Sequence, residues 1–185
     1  MKRRFFVAIP IPDEIKRELR YVLDRIDDGI LSCGRMIPEE DWHITLKFLG
    51  EQDEENVPHI VTAIQNTARE YEEVRKDIGI PDVTYDENIP PRMIWANGRK
   101  EDSVRLGSVR DAFDAQCVKN GIFRGDERKS FTTHITLVRF FRNPPKDAYV
   151  REPIEMFFTP KSIDLMESHL NRSGAEYTLV ERITL

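Results

Sequence analysis

Long hydrophobic runs, a cysteine framework and glycine-rich loops are all missing from this 185-residue chain. No apolar stretch approaches the roughly 20 residues that a helix needs to cross a bilayer, so no membrane span is expected. The basic start Met1-Lys2-Arg3-Arg4 leads into Phe5-Phe6-Val7-Ala8-Ile9-Pro10, which is too short for the core of a secretory signal and reads as a first strand. Cys33 and Cys117 are the only two cysteines. They have no CxxC spacing and build no disulfide framework, which makes a reducing cytoplasm the expected compartment. No glycine-rich turn follows the first strand, so a dinucleotide fingerprint and a P-loop are both excluded. Gly-x-Ser-x-Gly is absent and neither cysteine has an evident partner, which leaves nucleophilic serine or cysteine catalysis without support.

With 39% hydrophobic and 33% charged residues, the chain suits a folded globular protein and not a disordered one. Its length fits a single domain of two lobes, residues 1–185, sharing one core, and a monomer is expected. The net charge of -5 argues against non-specific gripping of nucleic acid through many phosphates. The charge is uneven, however. Arg124, Arg128, Lys129, Arg139 and Arg142 lie close together against only Asp126 and Glu127. A local basic region on an acidic protein fits a small phosphate-bearing target better than a long duplex. The acidic runs Asp53-Glu54-Glu55 and Glu70-Tyr71-Glu72-Glu73 read as solvated helix surface.

Histidine is also scarce, and this scarcity is informative. Of four histidines, two begin the same tetrapeptide: His43-Ile44-Thr45-Leu46 and His134-Ile135-Thr136-Leu137. Each copy sits in a run of strand character, residues 42–49 and 131–141. Alternation along a strand sends Ile and Leu to one face and His and Thr to the other. The apolar pair anchors the strand while imidazole and hydroxyl stand together on the opposite face. Two such strands facing each other would gather two imidazoles and two hydroxyls around one small anion.

Helical spacing marks residues 13–28 (Ile15, Leu19, Val22, Leu23, Ile26), 53–74 (Val57, Ile60, Val61, Ile64, Ala68) and 102–119 (Leu106, Val109, Ala112, Phe113). Strands are expected at 4–9, 92–96, 162–167 and 177–185 beside the two motif strands. The stretch 31–37 is ambiguous, and proline-rich 78–91 reads as strand and loop. The repeated motif suggests two related halves, each giving one sheet and one histidine. The expected fold class is therefore α+β and bilobal, with two pseudo-symmetric antiparallel sheets lining a central cleft and helices on the outer faces.

The chain resembles the two-histidine phosphoesterases, most closely the RNA 2′,3′-cyclic phosphodiesterases also known as 2′-5′ RNA ligases. The resemblance covers nearly the whole chain. It rests on Arg4 to Pro10, His43 to Gly50, Pro91 to Ala96, His134 to Arg139, and the ending Leu165-Met166-Glu167-Ser168-His169-Leu170 with Gly174 and Tyr177. One departure is Thr133, where the family has proline before the second histidine. The resemblance implies metal-independent hydrolysis of 2′,3′-cyclic phosphate ends of RNA to a 2′-phosphate, with no cofactor. RNA ends or small cyclic nucleotides would be the partners, and reversible 2′-5′ joining a secondary activity.

The residues suit that chemistry. Opening a cyclic phosphodiester requires a base for water and a proton donor for the leaving ribose oxygen, and histidine titrates in the needed range. His43 and His134 are the catalytic candidates. Thr45 and Thr136 would hold the non-bridging oxygens. Lys47 shares the strand parity of His43 and should face the cleft, whereas Arg139 lacks the parity of His134 and needs a bulge to reach it. Phe48, Trp95 and Phe141 are candidates for stacking a base, with Trp95 more readily read as core. Three other readings compete. Two core histidines left by a duplication would need apolar surroundings on both faces. Zinc would need a third ligand, which no spacing supplies. An RNA-end-binding module without turnover would not need paired proton-transfer groups. His59 and His169 carry no motif and read as structural.

Overall fold

A computed structural model describes residues 1–122, 130–171 and 174–185. Arg124, Asp126, Glu127, Arg128 and Lys129 of the basic region therefore lie outside the described residues. Strand β1 (Lys2–Pro10) leads to helix α1 (Asp13–Leu23), short helix α2 (Asp28–Leu31), strand β2 (Gly34–Met36) and the first motif strand β3 (His43–Asp53). Helix α3 (Val57–Glu70), strands β4 (Ile78–Tyr85) and β5 (Met93–Asn97) and helix α4 (Lys100–Lys119) follow. The second motif strand β6 (His134–Phe140) precedes β7 (Arg151–Phe158), β8 (Ser162–Asn171) and β9 (Gly174–Thr184).

The strands form two antiparallel sheets, ordered β3-β1-β8-β9 and β2-β6-β5-β4-β7. The fold is thus α+β with a motif strand in each sheet. The sheets are not, however, the two halves of the sequence. The C-terminal hairpin β8–β9 completes the sheet of His43, while β2 from the first half joins the sheet of His134. This exchange follows from burial: Phe5 and Val7 of β1 and Ile163 and Leu165 of β8 are all buried, and their strands pair directly. One continuous apolar cluster contains β1 and β3 residues such as Ile9 and Ile44 together with Ile94, Ile135 and Leu137 of the other sheet.

The helices lie against the sheets, with α1 touching β7, α4 touching β3, and α3 packing on β8, β9 and α4. Helix α1 ends at Leu23 and not at residue 28, because Asp27 accepts a hydrogen bond from the Gly29 N–H at 2.8 Å and caps a new short helix. The expected helix at 53–74 is shorter for a similar reason, since 3-10 turns flank Val57–Glu70 on both sides. Strand β7 has no counterpart in the sequence reading. Pro153 interrupts it, and it is tolerated because β7 is an edge strand and the ladder with β4 is irregular there.

Candidate active site

The two motif strands have the same burial sequence. From His43 to Phe48 and from His134 to Arg139, both read half-buried, buried, half-buried, buried, buried, exposed. The two successive buried residues are the signature of a bulge. Register on β1 passes from Thr45 to Lys47 against Ala8 and Val7, leaving Leu46 unpaired. Register on β5 passes from Thr136 to Val138 against Trp95 and Ile94, leaving Leu137 unpaired. The motif leucine is thus the extra residue in both copies, and it reverses which side chains face the cleft beyond it.

This reversal decides the fate of two candidates. Arg139, on the wrong parity by simple alternation, is re-aimed into the cleft and lines its cavity. Lys47, on the right parity by simple alternation, is turned inward instead. It is 7% exposed, and its Nζ lies 2.7 Å from Asp114 Oδ2 on α4, although it still borders the cavity. Phe48 takes the cleft-facing position that Arg139 holds on the other strand, and it is 61% exposed.

A cavity of about 390 Å³ lies between the sheets, and His43, Thr45, His134, Thr136, Arg139, Trp95 and Tyr177 all line it. Each histidine is oriented in the same way. His43 Nδ1 lies 2.6 Å from the carbonyl of Asp41, and His134 Nδ1 lies 2.9 Å from the carbonyl of Thr132. A carbonyl only accepts, so each Nδ1 carries the hydrogen, and each Nε2 is left to take or give a proton. The Thr45 hydroxyl lies 2.9 Å from His43 Nε2, where it donates to the neutral ring.

The surroundings of the two rings differ. Phe6 and Tyr177 pack around His43, with ring centroids 5.0 and 5.4 Å away. Burial pushes the His43 pKa down to about 4, against the Asp41 hydrogen bond that raises it, and the nearby His134 lowers it further. Trp95 stacks on His134 at 3.9 Å. Burial lowers the His134 pKa too, but the Thr132 hydrogen bond and the Asp86 carboxylate oppose the fall. Burial thus acts on both rings, and a nearby carboxylate opposes it at His134 alone.

Thr133, in place of the family proline, is fully buried. Its N–H donates to Ser103 Oγ of α4 at 2.9 Å, a bond that proline lacks, and its carbonyl accepts from Gly98. The hydroxyl Oγ1 is buried without a partner.

Of the stacking candidates, Phe48 and Trp95 line the cavity, while Phe141 is 72% exposed outside it. His59 is exposed on α3, and His169 approaches Glu167 at 3.7 Å; neither lines the cavity. Alternation did not point to Asp114, Arg110 or Phe6, because each reaches the site from an element without the motif. Among the described residues, no group of three or more His, Cys, Asp or Glu stands together as a metal cage, and no helix is long and apolar enough to cross a membrane.

Two imidazoles, each with a threonine two residues along its strand, thus line one cavity from the two sheets. The family described as LigT-like phosphoesterase matches residues 9–95. A Methanocaldococcus jannaschii protein named RNA 2′,3′-cyclic phosphodiesterase is 27% identical over 188 residues, covering 96% of this chain and 98% of its own. Among solved structures, TT0787 of Thermus thermophilus superposes with a TM-score of 0.79 at 22% identity, covering 98% of this chain and 97% of that one. Escherichia coli LigT complexed with 3′-AMP gives a TM-score of 0.71 at 20% identity, covering 100% and 99%. The chain is thus similar to the LigT-like phosphoesterases in sequence and in fold.

Proposed function

We propose that the protein hydrolyses terminal 2′,3′-cyclic phosphates on RNA to 2′-phosphates, with residues 1–185 acting as one two-lobed unit. The observation that carries this reading is the pair of Nε2 atoms presented to one cavity, each fixed by an Nδ1 hydrogen bond to the carbonyl two residues earlier. The name of the Methanocaldococcus jannaschii relative and the 3′-AMP complex of E. coli LigT support a ribonucleotide substrate.

In this mechanism neutral His43 takes a proton from water as its oxygen attacks phosphorus. The bond from phosphorus to the ribose 3′-oxygen breaks, and protonated His134 gives its proton to that oxygen. With substrate bound, Thr45 turns its hydroxyl from His43 Nε2 to the phosphate, which frees that nitrogen for water. Thr45 and Thr136 then donate to the non-bridging oxygens, where charge builds while phosphorus is five-coordinate. Arg139 adds a fixed positive charge at the cavity wall, and Lys47 acts from behind through its pairing with Asp114. No step uses a metal ion. A ribose hydroxyl in place of water gives 2′-5′ joining as a secondary activity of the same site.

The test is incubation of the protein with an oligonucleotide ending in a 2′,3′-cyclic phosphate, with and without a chelator, followed by location of the product phosphate. The expected product is a 2′-phosphate formed at an unchanged rate in chelator. Tight binding without product would assign the protein as an RNA-end-binding module. Loss of activity in chelator would contradict the metal-free mechanism.

A further inference from the structure

Arg35 lies outside the cavity, yet the fold provides a seat for it. It stands on the edge strand β2, with its Cα directly opposite that of Arg139 on β6. Like charges facing each other across an antiparallel pair destabilise the sheet. On its other side Arg139 faces Met93, so no acidic cross-strand neighbour offsets the pair. Among the described residues, neither guanidinium has a carboxylate within ion-pairing distance, although Asp41 is near enough to feel Arg35 through space.

The guanidinium of Arg35 crosses from its own sheet to the other one. A Cβ on Gly174 of β9 would meet its nitrogen and carbon atoms, so the guanidinium lies over the bare backbone of that glycine. Gly174 also has a φ of 131°, which side chains rarely adopt. Three residues along β9, the phenol of Tyr177 reaches the cavity. Burial raises the Tyr177 pKa, and the charges of Arg139 and Arg35 both oppose that rise.

We propose that Arg35 and Arg139 form a second phosphate subsite at the mouth of the cleft. It would take the phosphate on the 5′-oxygen of the nucleotide whose cyclic end occupies the cavity. An anion there replaces the mutual repulsion of the two arginines with charge-assisted hydrogen bonds to both forks. Strand β2 is a sheet edge, so a polynucleotide can continue outward past it. The subsite rests on the cyclic phosphodiesterase reading, and it makes 5′-phosphorylated and oligomeric ends better substrates than a simple cyclic nucleotide.

Three substrates test it: a nucleoside 2′,3′-cyclic phosphate with a free 5′-hydroxyl, the same molecule with a 5′-phosphate, and a cyclic-ended dinucleotide. Adding the 5′-phosphate should raise kcat/KM by about tenfold or more, the range for charge-assisted hydrogen bonds. Arg35→Gln should remove most of this gain, and Arg35→Lys should restore part of it. A gain seen only with the dinucleotide and kept by Arg35→Gln would assign the effect to base or sugar contacts and overturn the subsite. An unchanged ratio of the first two substrates in Arg35→Gln would also overturn it.

A 5′-phosphorylated nucleoside 3′-phosphate provides a binding readout independent of turnover. Its affinity should fall about tenfold in Arg35→Gln, with a salt dependence shallower by about one charge. If the wild type hydrolyses nothing but this affinity difference holds, the activity reading fails and the subsite stands. Equal affinity in both proteins removes the subsite.

Discussion

The strand of His43 and the strand of His134 share a tetrapeptide, a bulge at the motif leucine and an imidazole tied to a backbone carbonyl two residues back. They differ in what surrounds them. His43 is packed among aromatic rings, whereas His134 lies under Trp95 within the field of Asp86. Five residues after each histidine, one strand presents Phe48 to the cleft and the other Arg139. Inside the bulge, one strand buries Lys47 against Asp114 and the other buries Val138. The repeat gives symmetric geometry, and the neighbours make it chemically unequal. Under the proposed acid–base mechanism, that inequality favours one assignment of base and acid over the reverse.

The largest effect should come from breaking both sides of the comparison. His43→Ala and His134→Ala should each lower turnover of a cyclic-ended oligonucleotide by roughly 10²–10⁴-fold. The double variant should fall little below the worse single one, because the two groups act as a unit. Additive losses measured in steady-state kinetics would mean that the two imidazoles work independently.

Breaking the buried pair tests the side that Val138 does not share. Asp114→Ala takes away one partner of the buried Lys47 ammonium and should cost about 1.5–3 kcal/mol of stability in denaturant unfolding, the range for a hydrogen bond to a charged group. The double change Lys47→Met with Asp114→Leu should recover most of that loss. A double variant no more stable than Asp114→Ala would mean that the helix contact itself, and not the charge, holds α4 to β3.

These differences mark how far the sequence could be read. The alternation of His, Ile, Thr and Leu placed both imidazoles on the cleft face, because that stretch precedes the bulge in each strand. Beyond the bulge alternation fails, so Lys47 was expected in the cleft and Arg139 needed a special reason to be there. A bulge arises from pairing with a neighbouring strand, and no local residue pattern announces it. The interleaving of β2 and β8–β9 was hidden for the same reason: strand pairing is a long-range choice, and a three-residue strand such as Gly34–Met36 carries little periodicity. Asp114 was hidden because α4 is apolar on several faces, so a buried carboxylate in it reads like any other helical aspartate.

A smaller effect concerns the second strand alone. Thr133→Val removes a buried hydroxyl without a partner and keeps the side-chain shape, and it should stabilise the protein by about 1 kcal/mol. A fall in melting temperature would show that this hydroxyl is satisfied in solution.

The most direct measurement is kcat/KM against pH for the wild type and each histidine variant. The wild type should give a bell. Its acid limb lies near pH 4, where His43 gains a proton and stops acting as base. Its alkaline limb lies below pH 6.5, where His134 loses the proton it must donate. Residual activity of His43→Ala should lose the acid limb, and that of His134→Ala should lose the alkaline limb. If either variant keeps the full bell, or if the two limbs are lost in the opposite assignment, the division of labour between the two strands is contradicted.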